Sequence, residues 1–528
     1  MIGPPQGRER PSGRAMVWLS LIILLGLGLR LTGLLWGQAY CYFGQADGVE
    51  AYSVAVDYGL GTPRALYIGQ PNYNEHSKLP GPLWTVFCFI CCRLWGSIEG
   101  VVIGTILLNT AVIYLIYLLA SRTIGSAGAL WAALFTATSP WVVYYSVGVY
   151  NPSVMSFLSS LLFLALWQAS RIERARSIFW VPLLLLAMLQ FHMSGLMLFP
   201  AVVIVLALCP ARVNTRWLLA GVVAGLALYL PYVCGEIAHG WQNTRGMFGG
   251  GGKYTWDGLK AVVAPLSFLV NWAHGWTRSV AEYRELGRAC FGSFEVFLAI
   301  NLLSAVVAGF VVTGTFLEIW KALRGGWRSP RAAYAQSPGV MFLAILFLVP
   351  LMVALAGGKA FHTRYCIVLL PVMLPLAAVA ALHWLDCKRV GRSFRFMLVL
   401  TCLANVWLMP AMYHYQGMQI EKGPVLIPSF RKLETIYQSL KTHAGANSVV
   451  QVDVMPYFRN QAIPLDVRHD AAVIWLFVQV REKESQIKTG TLPHVAYRLF
   501  PEAAVRTNDP MLAYRGNGIA LVGVPPVR

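Results

Sequence analysis

The chain reads as an all-α polytopic membrane bundle of 11 to 13 transmembrane helices, with interfacial helices in its first outer loop and a small C-terminal α/β outer domain. Three observations carry that expectation. Of 528 residues, 57% are hydrophobic and only 12% are charged, where soluble proteins carry about 25% charge. Mean hydropathy is +0.57, which excludes a soluble globular enzyme, a disordered chain and a fibrous repeat. The formal charge of +19 comes from 42 Lys and Arg against 23 Asp and Glu. Those basic residues gather in short turns between apolar runs, the pattern of cytoplasmic loops and not of a nucleic-acid surface, so no nucleic-acid partner is expected.

The first apolar run follows Arg8, Arg10 and Arg14, starts at Met16 and continues past Arg30 to Trp36. It reads as an uncleaved signal anchor in the plasma (inner) membrane with the N-terminus cytoplasmic. A polar outer stretch follows, Gly37 to Pro80. Further runs near the roughly 20 residues that a span requires lie at 82–96, 99–121, 127–147, 152–170, 177–193, 194–209, 216–234, 293–319, 339–357, 364–385 and 395–413. Basic turns at Arg171–Arg176, Arg212–Arg216, Lys321–Arg331 and Lys388–Arg395 are expected inside. That places 148–151, 235–292, 358–363 and everything after 414 outside. Three runs stand between the first outer loop and position 148, although both ends belong outside. One of them must therefore be re-entrant or broken, or two must count as one, and Pro140 is a candidate break.

Two segments leave the membrane pattern. Residues 235–292 carry a Gly249 to Gly252 run and a short apolar piece, Ala261 to Trp272, read as an interfacial or re-entrant helix. The glycine run is not a phosphate loop, because Tyr254 stands where a Ser or Thr would bind magnesium and Met247 where the leading Gly would be. From 414 the composition turns globular, which divides the chain into a membrane domain, 1–413, and an extracytoplasmic α/β domain, 414–528. Ser429 to Thr442 has amphipathic helical spacing, Ser448 to Val454 reads as a strand, and Asp470 to Lys483 as a helix. The ten cysteines form no framework. Most lie in apolar runs as small hydrophobes, and Cys41, Cys234 and Cys290, in outer loops, are expected as unpaired thiols.

The scarce negative charge locates a candidate site. Nine of the 23 acidic residues lie in the tail, and four of the remaining 14, Asp47, Glu50, Asp57 and Glu75, sit in the first outer loop. Carboxylates at a membrane face are costly unless solvated or used. Asp47 and Glu50 share a face if 48–59 is helical. On spacing alone they serve as general base and orienting partner, as ligands of a divalent cation, or as solvating charges on an interfacial helix. Further along the loop, Glu75, His76 and Lys78 converge where the chain re-enters the membrane. Glu75 and His76 are candidates for a metal or substrate contact, and Lys78 suits a lipid phosphate or ordinary snorkelling. His192 and His362, near the outer ends of spans, read as interface histidines or as ligands.

These residues carry a resemblance. Leu29-Arg30-Leu31 closes the first span, the outer loop holds Asp47 and Glu50-Ala51-Tyr52, and Lys78-Leu79-Pro80-Gly81-Pro82-Leu83-Trp84 opens the next run. Ser139-Pro140 precedes Tyr144-Tyr145-Ser146, Phe191-His192 precedes Gly195, and His362-Thr363-Arg364-Tyr365 precedes Pro371 and Pro375. In order and spacing, over roughly residues 16–385, this resembles the glycosyltransferase C superfamily, and within it the group of protein O-mannosyltransferases and lipid A aminoarabinose transferases.

The resemblance implies an integral membrane glycosyltransferase that passes a hexosyl or pentosyl group from a polyprenyl-phosphate donor to a lipid, glycan or protein acceptor at the outer face, with inversion. Asp47 then looks like the catalytic base with Glu50 as helper or alternative. Lys78, Arg364 and His362 look like the donor-phosphate contacts, and Tyr52 and Tyr365 like the substrate groove. The sequence departs from the family pattern at Asp47-Gly48-Val49-Glu50 in place of an adjacent acidic pair, at Asn151 in place of an acid, and at Pro80-Gly81-Pro82 in place of Pro-Pro. A non-catalytic lipid-binding or assembly protein is the rival reading, followed by a secondary transporter, against which the absence of matching broken halves counts.

Overall fold

A computed structural model describes residues 12–36, 46–59, 61, 63–70, 78–170, 172–209, 213–249, 265, 280–325, 329–356, 363–422, 430–444, 449–452, 477–478, 481, 495–501, 512–516 and 519–523. Helix α1 (Gly13–Leu35) starts where Oγ of Ser12 accepts the Ala15 N–H at 3.2 Å, a side-chain cap on an otherwise unpaired donor. Between α1 and the next apolar run stands α2 (Ala46–Gly59). Then come α3 (Leu83–Trp95), ended by Gly96 at φ 78°, and α4 (Glu99–Thr123).

Pro140 does break the third run. Helix α5 (Ser126–Thr138) stops before it, and α6 (Pro140–Tyr144) restarts with the proline in its first turn, where the missing N–H is not needed. The break leaves the Thr136 carbonyl without its helical donor, since residue 140 has no N–H to give. Arg30 of α1 fills the vacancy: its Nη2 donates to Thr136 O at 3.2 Å and its Nη1 to Gly26 O at 2.8 Å. A cation there also meets the negative end of the α5 dipole.

A turn at Asn151–Val154 leads into α7 (Met155–Ala169), and Ile172–Phe179 into α8 (Trp180–Phe191). Met193–Met197 leads into α9 (Leu198–Leu208). Helices α10 (Thr215–Ala227) and α11 (Leu230–Ala238) meet at a 44° bend, and α12 (Gln242–Gly249) follows. The remaining helices are α13 (Val280–Phe291), α14 (Phe294–Gly325), α15 (Pro330–Gln336), α16 (Pro338–Ala356), α17 (Leu370–Leu385), α18 (Gly391–Lys422) and α19 (Phe430–Ala444).

Among the described residues, seven helices are long and apolar enough to cross a membrane, eight if the bent α10–α11 pair is one span. Shorter apolar helices are Leu83–Trp95, Ser126–Thr138, Arg176–Phe191 and Met193–Leu208. The run expected to span at 82–96 forms only 13 helical residues, about 20 Å of rise against a core of about 30 Å. Leu24, Leu219, Val223, Leu403 and Trp407 are exposed, as on a surface that faces lipid. The central core packs α4, α5, α7, α8, α9, α16 and α17. Every residue of α17 from Leu370 to Ala381 is buried, so the turn leading into it is held on a rigid support.

Beyond α19, strands β1 (Val449–Val452), β2 (Val495–Pro501), β3 (Leu512–Gly516) and β4 (Ile519–Gly523) form one sheet in the order β1-β2-β4-β3. β1 runs parallel to β2, while β4 is antiparallel to both β2 and β3. The tail helix and strand expected at 429–442 and 448–454 therefore have counterparts in α19 and β1. The helices expected at 261–272 and 470–483 lie largely outside the described residues.

Candidate functional site

Arg364 stands in the turn Thr363–Leu369 that feeds α17. Its guanidinium lies 5.9 Å from the centre of the Tyr150 ring and 5.6 Å from that of Tyr365, a cation held against two aromatic faces. Tyr150 stacks on Tyr145 at 6.4 Å, and Tyr145 packs on Trp141 at 5.7 Å and Tyr144 at 5.3 Å. The His192 ring sits 5.4 Å from Tyr365. Among the described residues Arg364 makes no ion pair, and its Nε is buried without a hydrogen-bond partner. A guanidinium in that state keeps its capacity to take an anion.

His192 is fixed by its neighbour. The Ser194 N–H donates to its Nδ1 at 3.1 Å, and the Ser194 hydroxyl lies 2.8 Å from the same nitrogen. An accepting Nδ1 leaves the ring proton on Nε2 and the imidazole neutral. Nearby, Asn151 Nδ2 donates to Phe191 O at 2.9 Å and ties the Tyr150 turn to the end of α8. An aspartate there would face that carbonyl with acceptors alone, so asparagine at this position suits the contact.

The Lys78 arm forms the other side. Gly69 N donates to Leu79 O at 3.0 Å and Leu79 N to Gln70 O at 2.9 Å, pairing residues 67–70 with 78–81. Trp84, fully buried, donates from Nε1 to Gln70 Oε1 at 2.9 Å. Gly81 adopts φ +137° with the Gln190 amide against its Cα, and a Cβ would collide with that amide. Only glycine fits both conditions, which accounts for the interrupted proline pair. The Phe191 ring packs 6.4 Å from Trp84. Phe191-His192 thus joins the Lys78 arm on one side to Tyr365 and Arg364 on the other.

Of the residues singled out from sequence, the structure brings Tyr365, Arg364 and His192 together, with Lys78 across Phe191 and Trp84. The α2 backbone places positions 47 and 50 one turn apart, and Glu50 is half-buried. The side chain of Asp47, together with Glu75, His76 and His362, lies outside the described residues. Tyr52, expected in the substrate groove, is 2% exposed and packs in the cluster formed by Ala51, Ala55, Trp84 and Val147, with its ring 6.4 Å from Phe477 of the tail. Its spacing in α2 turns it inward. Cys234 and Cys290 are free thiols. No group of three metal-ligating side chains occurs among the described residues.

Sequence reasoning missed Tyr150 and a polar group behind Lys78. Glu236 is 1% exposed and accepts the Thr244 N–H at 2.7 Å and the Asn243 N–H at 3.4 Å. It serves the free N–H groups of α12 in place of a local cap. One acid alone in the apolar stretch 228–238 was the available signal.

No protein-family model matches the chain, and no curated protein matches it. Solved structures do. ArnT from Cupriavidus metallidurans bound to undecaprenyl phosphate superposes with a TM-score of 0.59 at 11% identity, covering 96% of this chain and 98% of that one. The apo state of the same protein gives 0.58 at 11% identity, covering 97% and 98%. The apo oligosaccharyltransferase of Archaeoglobus fulgidus gives 0.51 at 11% identity, covering 92% of this chain and 69% of that chain. The chain is a multi-pass membrane protein with the fold of these structures. The resemblance read from its scattered motifs therefore holds at the level of the fold.

Proposed function

We propose that the chain is an integral membrane glycosyltransferase that moves a sugar from a polyprenyl-phosphate donor to a lipid, glycan or protein acceptor, with inversion. The observation that carries this reading is the Arg364 pocket: a guanidinium without an ion pair among the described residues, lodged between Tyr150 and Tyr365. It sits in a fold shared with a protein solved with undecaprenyl phosphate bound. Arg364, Lys78 and His362 hold the donor phosphate and offset the charge that grows on it as the glycosidic bond breaks. Asp47, or Glu50 one turn on, takes the acceptor proton while the acceptor oxygen attacks the anomeric carbon from the opposite face.

In the same reading α3 lies at the outer interface, while α8 and α9 cross together with the turns that lead into them, Arg176–Phe191 and Met193–Leu208. The crossings are then α1, α4, α5–α6, α7, α8, α9, α10–α11, α14, α16, α17 and α18. That odd number leaves the N-terminus inside and residues 414–528 outside as a separate domain. The basic turns agree with this parity.

The test is to incubate the purified full-length protein with labelled polyprenyl-phosphate sugars and candidate acceptors. Sugar transfer that falls about 10²- to 10⁴-fold in Asp47→Asn or Glu50→Gln, with the protein still folded, supports the assignment. Full activity in both variants removes the carboxylates from the chemistry, and donor binding without transfer by the wild type favours the non-catalytic lipid-binding reading. A chelator arm decides whether Asp47, Glu50, Glu75 or His76 holds a required divalent cation.

A further inference from the structure

The main chain of Lys78 is gripped from outside its own loop. Its N–H donates to Oδ1 of Asn243 at 2.6 Å, and its carbonyl accepts from Nδ2 of the same side chain at 3.1 Å. One amide thus answers both backbone groups of one residue, and only a side chain with an acceptor and a donor at its tip can do so. Asn243 is itself locked: it is 8% exposed, and its Nδ2 also donates to the Tyr232 hydroxyl at 3.0 Å. That hydroxyl lies 2.8 Å from the Thr244 hydroxyl, and Glu236 holds the N–H groups of Asn243 and Thr244. A second tie lies nearby, where the Tyr67 hydroxyl meets His239 Nδ1 at 3.0 Å. The α11–α12 segment is therefore latched onto the first outer loop at two places, one of them directly on Lys78.

From this geometry we infer that Asn243 is a positioning residue for Lys78: it fixes the backbone from which the ammonium reaches the donor phosphate, and so couples α12 to donor binding. The inference rests on the reading that Lys78 contacts that phosphate. Asn243 touches no substrate. Its whole effect passes through Lys78, which makes the two residues thermodynamically non-additive.

The experiment measures binding of undecaprenyl phosphate to the purified full-length protein in detergent, for wild type, Lys78→Ala, Asn243→Asp, Asn243→Ala and the Lys78→Ala/Asn243→Asp double variant. Asn243→Asp keeps the size and the acceptor for the Lys78 N–H but turns an oxygen toward the Lys78 carbonyl. Lys78→Ala is expected to weaken binding about tenfold or more, and either Asn243 variant about three- to tenfold. The double variant should bind within about twofold of Lys78→Ala alone. Tyr67→Phe, which loosens the second tie without touching Lys78, should bind as wild type. Asn243→Ala carries the test if Asn243→Asp does not accumulate. Losses that add in the double variant mean a general structural role and overturn the inference, as do Asn243 variants that bind as wild type while Lys78→Ala does not. Wild-type binding by Lys78→Ala itself overturns the phosphate role of Lys78, and the inference falls with it.

Discussion

Arg30, in α1, and Arg364, in the turn into α17, both lie in apolar segments, and their surroundings differ in kind. Arg30, with no solvent exposure, gives its Nη groups to two backbone carbonyls, one of them orphaned by Pro140. Arg364 is half-buried and has its guanidinium against the rings of Tyr150 and Tyr365; the Nε of each arginine is without a partner. The first guanidinium repairs a break in the fold; the second is held by aromatic side chains and stays partly exposed. A cation in an apolar segment thus marks a candidate site by what holds it and by its exposure, since an unpartnered Nε is common to both.

Substitutions can break or sharpen that contrast. Arg364→Ala should lower sugar transfer by about 10²- to 10³-fold with little change in thermal stability, and Arg364→Lys should recover only part of it, because an ammonium lacks the planar fork of donors. A large stability loss with normal transfer per folded molecule would place Arg364 with Arg30. Arg30→Met should do the reverse. It strands the Thr136 carbonyl in the core, a cost of about 1 to 3 kcal/mol, while donor affinity per folded molecule stays near wild type.

Gly81→Ala tests the Lys78 side without touching a charge. Its strained φ and its collision with Gln190 should destabilise the arm by about 1 to 3 kcal/mol, read as lower yield and weaker donor binding. The smallest effect is a labelling change. Cys290 lies in the same cluster as Leu29 and Tyr413, and burial pushes its thiol up to about 12. Because the thiolate is the reactive form and forms only as pH approaches that value, Cys290 should resist alkylation at pH 8, whereas Arg30→Met, by loosening the cluster, should admit the reagent. Rapid labelling of Cys290 in the wild type would refute the burial.

Much of this was legible in the sequence because it is local. Apolar runs predict the long apolar helices, Pro140 announces the break at Thr138, and the amphipathic spacing near Ser429 predicts α19. The order of the motifs identifies a fold that 11% identity to its structural neighbours otherwise hides. What escaped depends on partners far along the chain. Strand β1 finds β2 across Val449↔Val495, and neither strand declares its register alone. Asn517-Gly518 between β3 and β4 is a strong short-range hairpin signal that went unread. Which side of α2 is covered by the tail, and so where Tyr52 packs, depends on Phe477. Asn243 carries no motif at all, since its role comes from meeting Lys78, 165 positions earlier.

The Tyr52–Phe477 contact has a consequence in time. The two residues are 425 positions apart in the sequence (477 − 52), which at about 5 to 20 residues per second separates their synthesis by about 20 to 85 s. Throughout that interval the inward side of α2, the helix that carries positions 47 and 50, lacks the cover of Phe477, Val478 and α19. The candidate site is begun among the first segments made and finished by one of the last. A chain cut short before residue 430 would leave that face bare, and a newborn protein reaches its final arrangement there only when synthesis is nearly complete.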